Sequence, residues 1–152
     1  MREVNYDTGT RYIGELKNDK RDGKGIFYNE DGSYYEGDWK ENRMHGNGKF
    51  YYSDGKLAEE GSWYNDNLHG KGKMYNQNFV FLDEPFDYHN MNAIDDYWEV
   101  YDGDFFYEKW SGKGKLKLSN GEVYVGEFMD NKVNGDGRFY EQNGEIIFAK
   151  WV

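Results

Sequence analysis

Apolar and polar positions alternate with a period of two through most of this chain, most clearly from Ser33 to Gly55, SYYEGDWKENRMHGNGKFYYSDG. That period marks half-buried strands, and the density of glycine argues against helix interiors. Tyr35, Gly37 and Trp39 share one side of a first strand, while Gly46, Gly48 and Phe50 share one side of a second. Folding the two into a hairpin predicts Trp39 opposite Gly46, Gly37 opposite Gly48 and Tyr35 opposite Phe50. A large ring then lies over a glycine.

The same arrangement recurs along the chain, and repeats decide the fold. Gly14, Gly61, Gly103 and Gly126 are equivalent to Gly37, with Ala149 in that place near the end. Nine residues after each glycine begins a Gly-x-Gly pair: Gly23/Gly25, Gly46/Gly48, Gly70/Gly72, Gly112/Gly114 and Gly135/Gly137. The common register sets Leu16 opposite Gly23, Trp63 opposite Gly70, Phe105 opposite Gly112 and Phe128 opposite Gly135. On the other face it sets Glu15 against Lys24, Glu36 against Lys49, Glu60 against Lys73, Asp102 against Lys115 and Asp104 against Lys113, with one like-charge mismatch, Glu127 facing Asp136. Asp-Gly and Asn-Gly turns at 29–32, 53–55, 119–121 and 142–144 link successive hairpins. The expected fold is all-β: a single elongated, twisted antiparallel meander of about twelve strands over 1–152. It divides into half unit 2–9, units 10–32, 33–55, 56–76, 98–121 and 122–144, and half unit 145–152, with an insertion at 77–97.

The stretch YEGDWKENRMHGNGKFYYSDG resembles the MORN (membrane occupation and recognition nexus) repeat, whose pattern is close to Tyr-x-Gly-x-Trp, a short hairpin, then His-Gly-x-Gly. His45 and His69 fall at its histidine position. Glu59 at the tyrosine position, Leu16 at the tryptophan position and Ala149 depart from the pattern. The resemblance implies a scaffolding module, as in cilia and membrane-associated cytoskeleton, that binds a partner segment or dimerises. It also implies phosphoinositide binding as an alternative.

Composition narrows the chemistry. Leu, Ile, Val and Phe number only 28 of 152 residues, a level that usually signals disorder at high net charge. Fifteen Tyr and five Trp reverse that reading, because large rings bury area without a thick aliphatic core. The chain has no cysteine, which removes disulfides and thiolate metal sites and fits a reducing compartment. The longest strongly apolar run is Phe79 to Leu82, far short of a membrane span, so a cytoplasmic protein is expected, with possible cytoskeletal or ciliary association from the resemblance. The net charge of −10 is concentrated: residues 74–108 hold nine acids and no Lys or Arg. Nothing in this balance points to nucleic acid.

No enzyme is expected. Tyr28, Tyr51, Tyr75, Lys117 and Tyr140 stand where a dinucleotide fingerprint needs its third glycine, and no Walker lysine, nucleophile elbow or metal-ligand spacing occurs, so neither cofactor nor metal is expected. The periodic rings Tyr35, Trp39, Phe50, Trp63, Tyr101, Phe105, Tyr124 and Phe128 are candidate partner contacts, although the same rings must also pack the sheet. The insertion adds Phe81, Phe86 and Tyr88, either folded back on the sheet or offered with its acids to a basic or helical partner. Lys17, Lys20, Arg21, Lys40, Arg43, Lys113, Lys115 and Lys117 are the candidates for an anionic lipid surface, the less favoured reading because acids lie near most of them. The apolar end at 146–152 leaves a homodimer through edge strands open.

Overall fold

The computed structural model describes residues 1–152 and is an all-β antiparallel meander of twelve strands whose spatial order is the order of the chain. The contacts fall into two compact units, Met1–Gly72 and Lys73–Val152. The first holds Arg2–Asn5 (β1), Arg11–Lys17 (β2), Lys20–Tyr28 (β3), Tyr34–Lys40 (β4), Arg43–Tyr51 (β5) and Leu57–Tyr64 (β6), and most of Asn67–Tyr75 (β7). The second holds Trp98–Phe106 (β8), Lys109–Leu118 (β9), Val123–Met129 (β10), Lys132–Tyr140 (β11) and Ile146–Trp151 (β12).

Two kinds of turn join the strands. Within a repeat, two residues carry positive φ, as at Glu41 (48°) and Asn42 (69°) or Asp130 (48°) and Asn131 (69°), the turn whose twist matches the strands. The second turn residue also clasps the preceding hairpin. Asn42 accepts the Arg21 N–H on its Oδ1 and donates its own N–H to the Arg21 carbonyl, and Asn131 does the same to Trp110. Between repeats, the Asp-Gly and Asn-Gly sites close three-residue loops, with Asn29 N–H bonded to Ser33 O and Gly32 N–H to Asn29 O.

Glycines line up across the strands. The rows are Gly14, Gly25, Gly37, Gly48 and Gly61 in the first unit and Gly103, Gly114, Gly126 and Gly137 in the second, where Ala149 ends the row. The backbones approach too closely for side chains: a Cβ on Gly37 would lie 2.5 Å from Gly48 Cα. The repeat tyrosine fills the space over the row. A Cβ on Gly48 would fall on the Tyr35 hydroxyl, which donates to Asp38 O at 3.0 Å. Tyr12, Tyr101 and Tyr124 repeat the bond to Glu15, Asp104 and Glu127 carbonyls.

Half of the expected register holds. Tyr35 faces Phe50, Gly37 faces Gly48, Glu36 faces Lys49 and Asp102 faces Lys115. Beyond the glycine row a bulge intervenes, and Trp39 faces Met44, not Gly46. Likewise Leu16 faces Arg21, Phe105 faces Trp110 and Phe128 faces Val133. Gly46, at φ 75°, is the middle of the three residues His45–Asn47 that the ladder skips opposite Asp38, a conformation that glycine adopts without a Cβ penalty. The large ring does lie across from a glycine, but that of the preceding hairpin: Trp39 on Gly23, Trp63 on Gly46, Phe128 on Gly112 and Trp151 on Gly135.

The bulge also reassigns the acids. Asp38, Asp104 and Glu127 accept the backbone N–H of Asn47, Lys113 and Asp136, so the Glu127/Asp136 mismatch is a bulge cap rather than a repulsion. Lys24 bonds Asp38 of the next strand instead of Glu15. The rings form edge-to-face chains: Tyr12, Trp39, Tyr35 and Trp63 in one unit, and Phe105, Tyr101, Phe128, Tyr124 and Trp151 in the other. Each such contact adds about 0.5–1.5 kcal/mol beyond the area it buries.

Candidate interaction surfaces

Each unit has an inner face carrying these rings and an outer face carrying the charges. Tyr35, Trp39, Trp63, Tyr101, Phe105, Tyr124 and Phe128 are all buried within the inner faces, each 6% exposed or less. Burial pushes the Tyr12 and Tyr124 hydroxyls up to about 12, and raises those of Tyr35 and Tyr101 as well. Phe50 remains half-buried.

The insertion folds onto the inner face of the second unit. Leu82 and Phe86 are buried, as is Met91, which opens the short 3-10 turn Met91–Ala93. Phe86 and Tyr88 pack on Phe139, with centroids 6.3 and 5.9 Å away, and Trp151 Nε1 donates to Tyr88 O at 2.7 Å. Two polar residues of the β9–β10 loop hold the backbone. Ser119 accepts Leu82 N–H and donates to Val80 O, while the Glu122 carboxylate accepts Phe86 N–H at 2.8 Å and Gln142 N–H at 3.2 Å. Buried acceptors that find donors are stabilising, whereas orphaned ones cost about 1–3 kcal/mol. Sequence reasoning missed both anchors. Their signal was position, since Glu122 occupies the place of the buried Ser33 in the earlier repeat.

The two inner faces differ in cover. The row Tyr101, Leu116, Tyr124, Phe139 corresponds to Tyr12, Phe27, Tyr35, Phe50. Leu116 and Phe139 are fully buried, Phe139 beneath Phe86 and Tyr88 of the insertion, whereas Phe27 and Phe50 are half-buried. Arg21 partly shields Phe27: its guanidinium lies 4.8 Å from the Phe27 and Trp39 ring centroids and donates to Tyr6 Oη and Asn42 O. That makes Arg21 a packing residue of the inner face.

On the outer face of the first unit, Tyr28, Tyr34 and Tyr51 stand in a ladder with Arg11 over Tyr28 at 4.4 Å. Beside it an open groove of about 610 Å³ crosses the glycine row between Ile13, Ile26, Glu36, Lys49 and Glu60. Lys17, Lys20 and Lys40 line a separate hollow shared with Asp22, Asp38 and Glu41. There the Lys24 bond and the Asn47 N–H overcome the effect of burial and hold the Asp38 carboxyl below its usual range. Arg43 lies 3.9 Å from Asp66 and Lys117 3.4 Å from Glu99. Lys113 and Lys115 face Glu127 and Val125 on β10. In the second unit a cleft of about 420 Å³ opens between Met91 and Ile94 and the rings Trp98, Trp110 and Phe128. Trp110 stacks flat on Tyr101 at 4.7 Å and meets Trp98 edge-on.

Such an array of like hairpins, closed by bulges and ring chains, is a β-repeat fold, and no group of three His, Asp or Glu side chains is placed to hold a metal ion. The MORN repeat family pattern matches residues 12–34, 35–56, 60–78 and 101–123, more than half of the chain, and the chain belongs to that family. Repeats of this family suggest an interaction or membrane-associated module and are generally non-enzymatic. The matched segments stop at residue 123, yet Tyr124, Gly126, Gly135 and Gly137 repeat the same tyrosine-over-glycine geometry. A comparison with curated proteins finds no match.

Proposed function

We propose that the chain is a non-catalytic scaffold that receives an apolar, aromatic segment of a partner protein on the inner face of its first unit, within a cytoskeletal or ciliary assembly of the cytoplasm. The observation that carries this reading is the contrast in cover. In the second unit, Phe86 and Tyr88 lie on Phe139 at the end of the row, and the same row in the first unit is open at Phe50, Phe27 being shielded by Arg21 and Tyr6. A partner segment carrying one or two aromatic side chains would complete the first unit as the insertion completes the second, with Ser33 in the place of Glu122 as a backbone anchor. Of the candidate partner contacts, Phe50 is then the one a partner reaches directly, while the buried rings shape the floor.

Proximity labelling with wild type and Phe50→Glu tests this. The expected outcome is a partner recovered with wild type and lost with the variant at unchanged thermal stability. Full retention by the folded variant overturns the reading.

Phosphoinositide binding is the second reading, favoured by the exposed Lys113, Lys115 and Lys117 on one face. Glu99 beside Lys117 and Glu127 opposite Lys113 weaken it. Each base near an anionic surface contributes about 1 kcal/mol, so little retention on phosphoinositide vesicles is expected at physiological salt. Strong retention that falls with added salt would favour lipid over protein.

A further inference from the structure

The tip of the insertion is tied down through every second residue. Val80 N–H donates to Asp96 O at 2.7 Å, Val80 O accepts the Ser119 hydroxyl at 2.7 Å, and Leu82 N–H donates to Ser119 Oγ at 2.9 Å. Phe79, Phe81 and Asp83, the residues between and beside them, make no backbone hydrogen bond within the chain. In an extended chain the N–H and C=O of successive residues point to opposite sides, so bonds at alternate residues mark a strand paired along one edge only. The free groups of Phe79, Phe81 and Asp83 line the other edge.

Side chains and charge then say what this edge accepts. Phe79, Val80 and Phe81 are 43%, 51% and 68% exposed, and the single proline, Pro85, lies beyond the segment, where it does not block pairing. Asp83, Glu84 and Asp96 are exposed and form no ion pair, and residues 74–108 hold no Lys or Arg. Uncompensated acids repel a second copy of the same edge and attract a basic strand.

We infer that residues 79–83 are a strand-addition site for another protein, an extended segment in which apolar residues alternate with Lys or Arg. Its backbone pairs with Phe79, Phe81 and Asp83, its apolar side chains lie beside Phe79 and Phe81, and its bases meet Asp83, Glu84 and Asp96. Strand addition draws affinity from main-chain hydrogen bonds and specificity from alternate side chains, and a helix, whose main-chain groups are already paired, offers neither here. Ser119 and Asp96 hold the segment in place beforehand, so binding orders little of this chain. The inner face of the first unit takes no part, so this site stands or falls separately from the partner site proposed above.

NMR titration of the full chain with a terminally blocked peptide of alternating valine and lysine tests the inference. Amide shifts centred on 79–83 are expected, with a submillimolar Kd that Phe50→Glu leaves unchanged. N-methylation of alternate peptide residues, which removes the donors on one edge, is expected to weaken binding more than tenfold. Phe81→Pro should do the same, because it removes the outward N–H while keeping the Val80 and Leu82 bonds, and protection of the Phe86 amide reports that the insertion stays docked. With Asp83→Lys, Glu84→Lys and Asp96→Lys, the lysine peptide should be lost and its glutamate counterpart bound. Three results overturn the inference: no shift at 79–83, binding that survives both N-methylation and Phe81→Pro, and a helix-forming peptide of equal charge that binds as tightly.

Discussion

At the scale of single residues, the repeat is a size match between a tyrosine and two glycines. The Tyr35 hydroxyl sits where a side chain on Gly48 would begin, so Gly48→Ala forces backbone and ring apart. Overpacking of this kind typically costs about 1–3 kcal/mol. Gly55 offers the control: nothing lies within 4 Å of a Cβ there, and only its φ of 87° opposes a side chain. Gly55→Ala is therefore expected to cost about 1 kcal/mol, well below Gly48→Ala, in parallel urea titrations. The two glycines of each Gly-x-Gly pair thus have different duties, since Gly46 bends the ladder and Gly48 makes room for a ring. Spacing alone could not separate them, because strict alternation has no means of showing a skipped residue. The acid that follows Gly14, Gly37, Gly103 and Gly126 was the available sign, as it caps the bulge in three of the four repeats.

At the scale of elements, hairpins were legible in the chain and the insertion was not. Alternation, turn residues and the Tyr-x-Gly spacing placed β2 to β12 because each depends on neighbours in sequence. The insertion has no period, and its docking depends on Ser119 and Glu122, more than 30 residues away. The aromatic content of the segment left folding back and partner contact both open, and the structure divides the rings: Phe86 is buried, Tyr88 half-buried and Phe81 exposed. Glu122→Ala would leave the Phe86 and Gln142 N–H groups without their acceptor. About 1–3 kcal/mol of the docking should be lost. Hydrogen exchange should then accelerate in 80–91 while β9 and β10 keep their protection, and uniform acceleration through the second unit would contradict this division.

At the scale of the whole molecule, the buried tyrosines make stability depend on alkaline pH. An unfolded tyrosine titrates near 10, whereas Tyr12 and Tyr124 are raised to about 12 and Tyr35 and Tyr101 are also raised. The unfolded chain therefore loses protons first. The contribution is complete below pH 10 and falls as pH rises toward 12 and beyond. Thermal melts across that range should show a decline steeper in wild type than in Tyr12→Phe, with tyrosinate absorbance appearing together with unfolding. If absorbance rises well before the fold is lost, the hydroxyls are more accessible than their burial indicates.

The tyrosine-over-glycine match makes the two positions a linked pair in the history of the sequence. A methyl on the glycine is intolerable while the tyrosine stands, and a smaller residue in place of the tyrosine forfeits the ring chain unless its neighbours change too. The order of the steps therefore matters, with strong epistasis between them: the tyrosine can go first, as Glu59 with Gly61 retained shows, but not the glycine. One repeat of this chain carries both replacements: in β12, Ile147 stands where the tyrosine belongs and Ala149 where the glycine belongs.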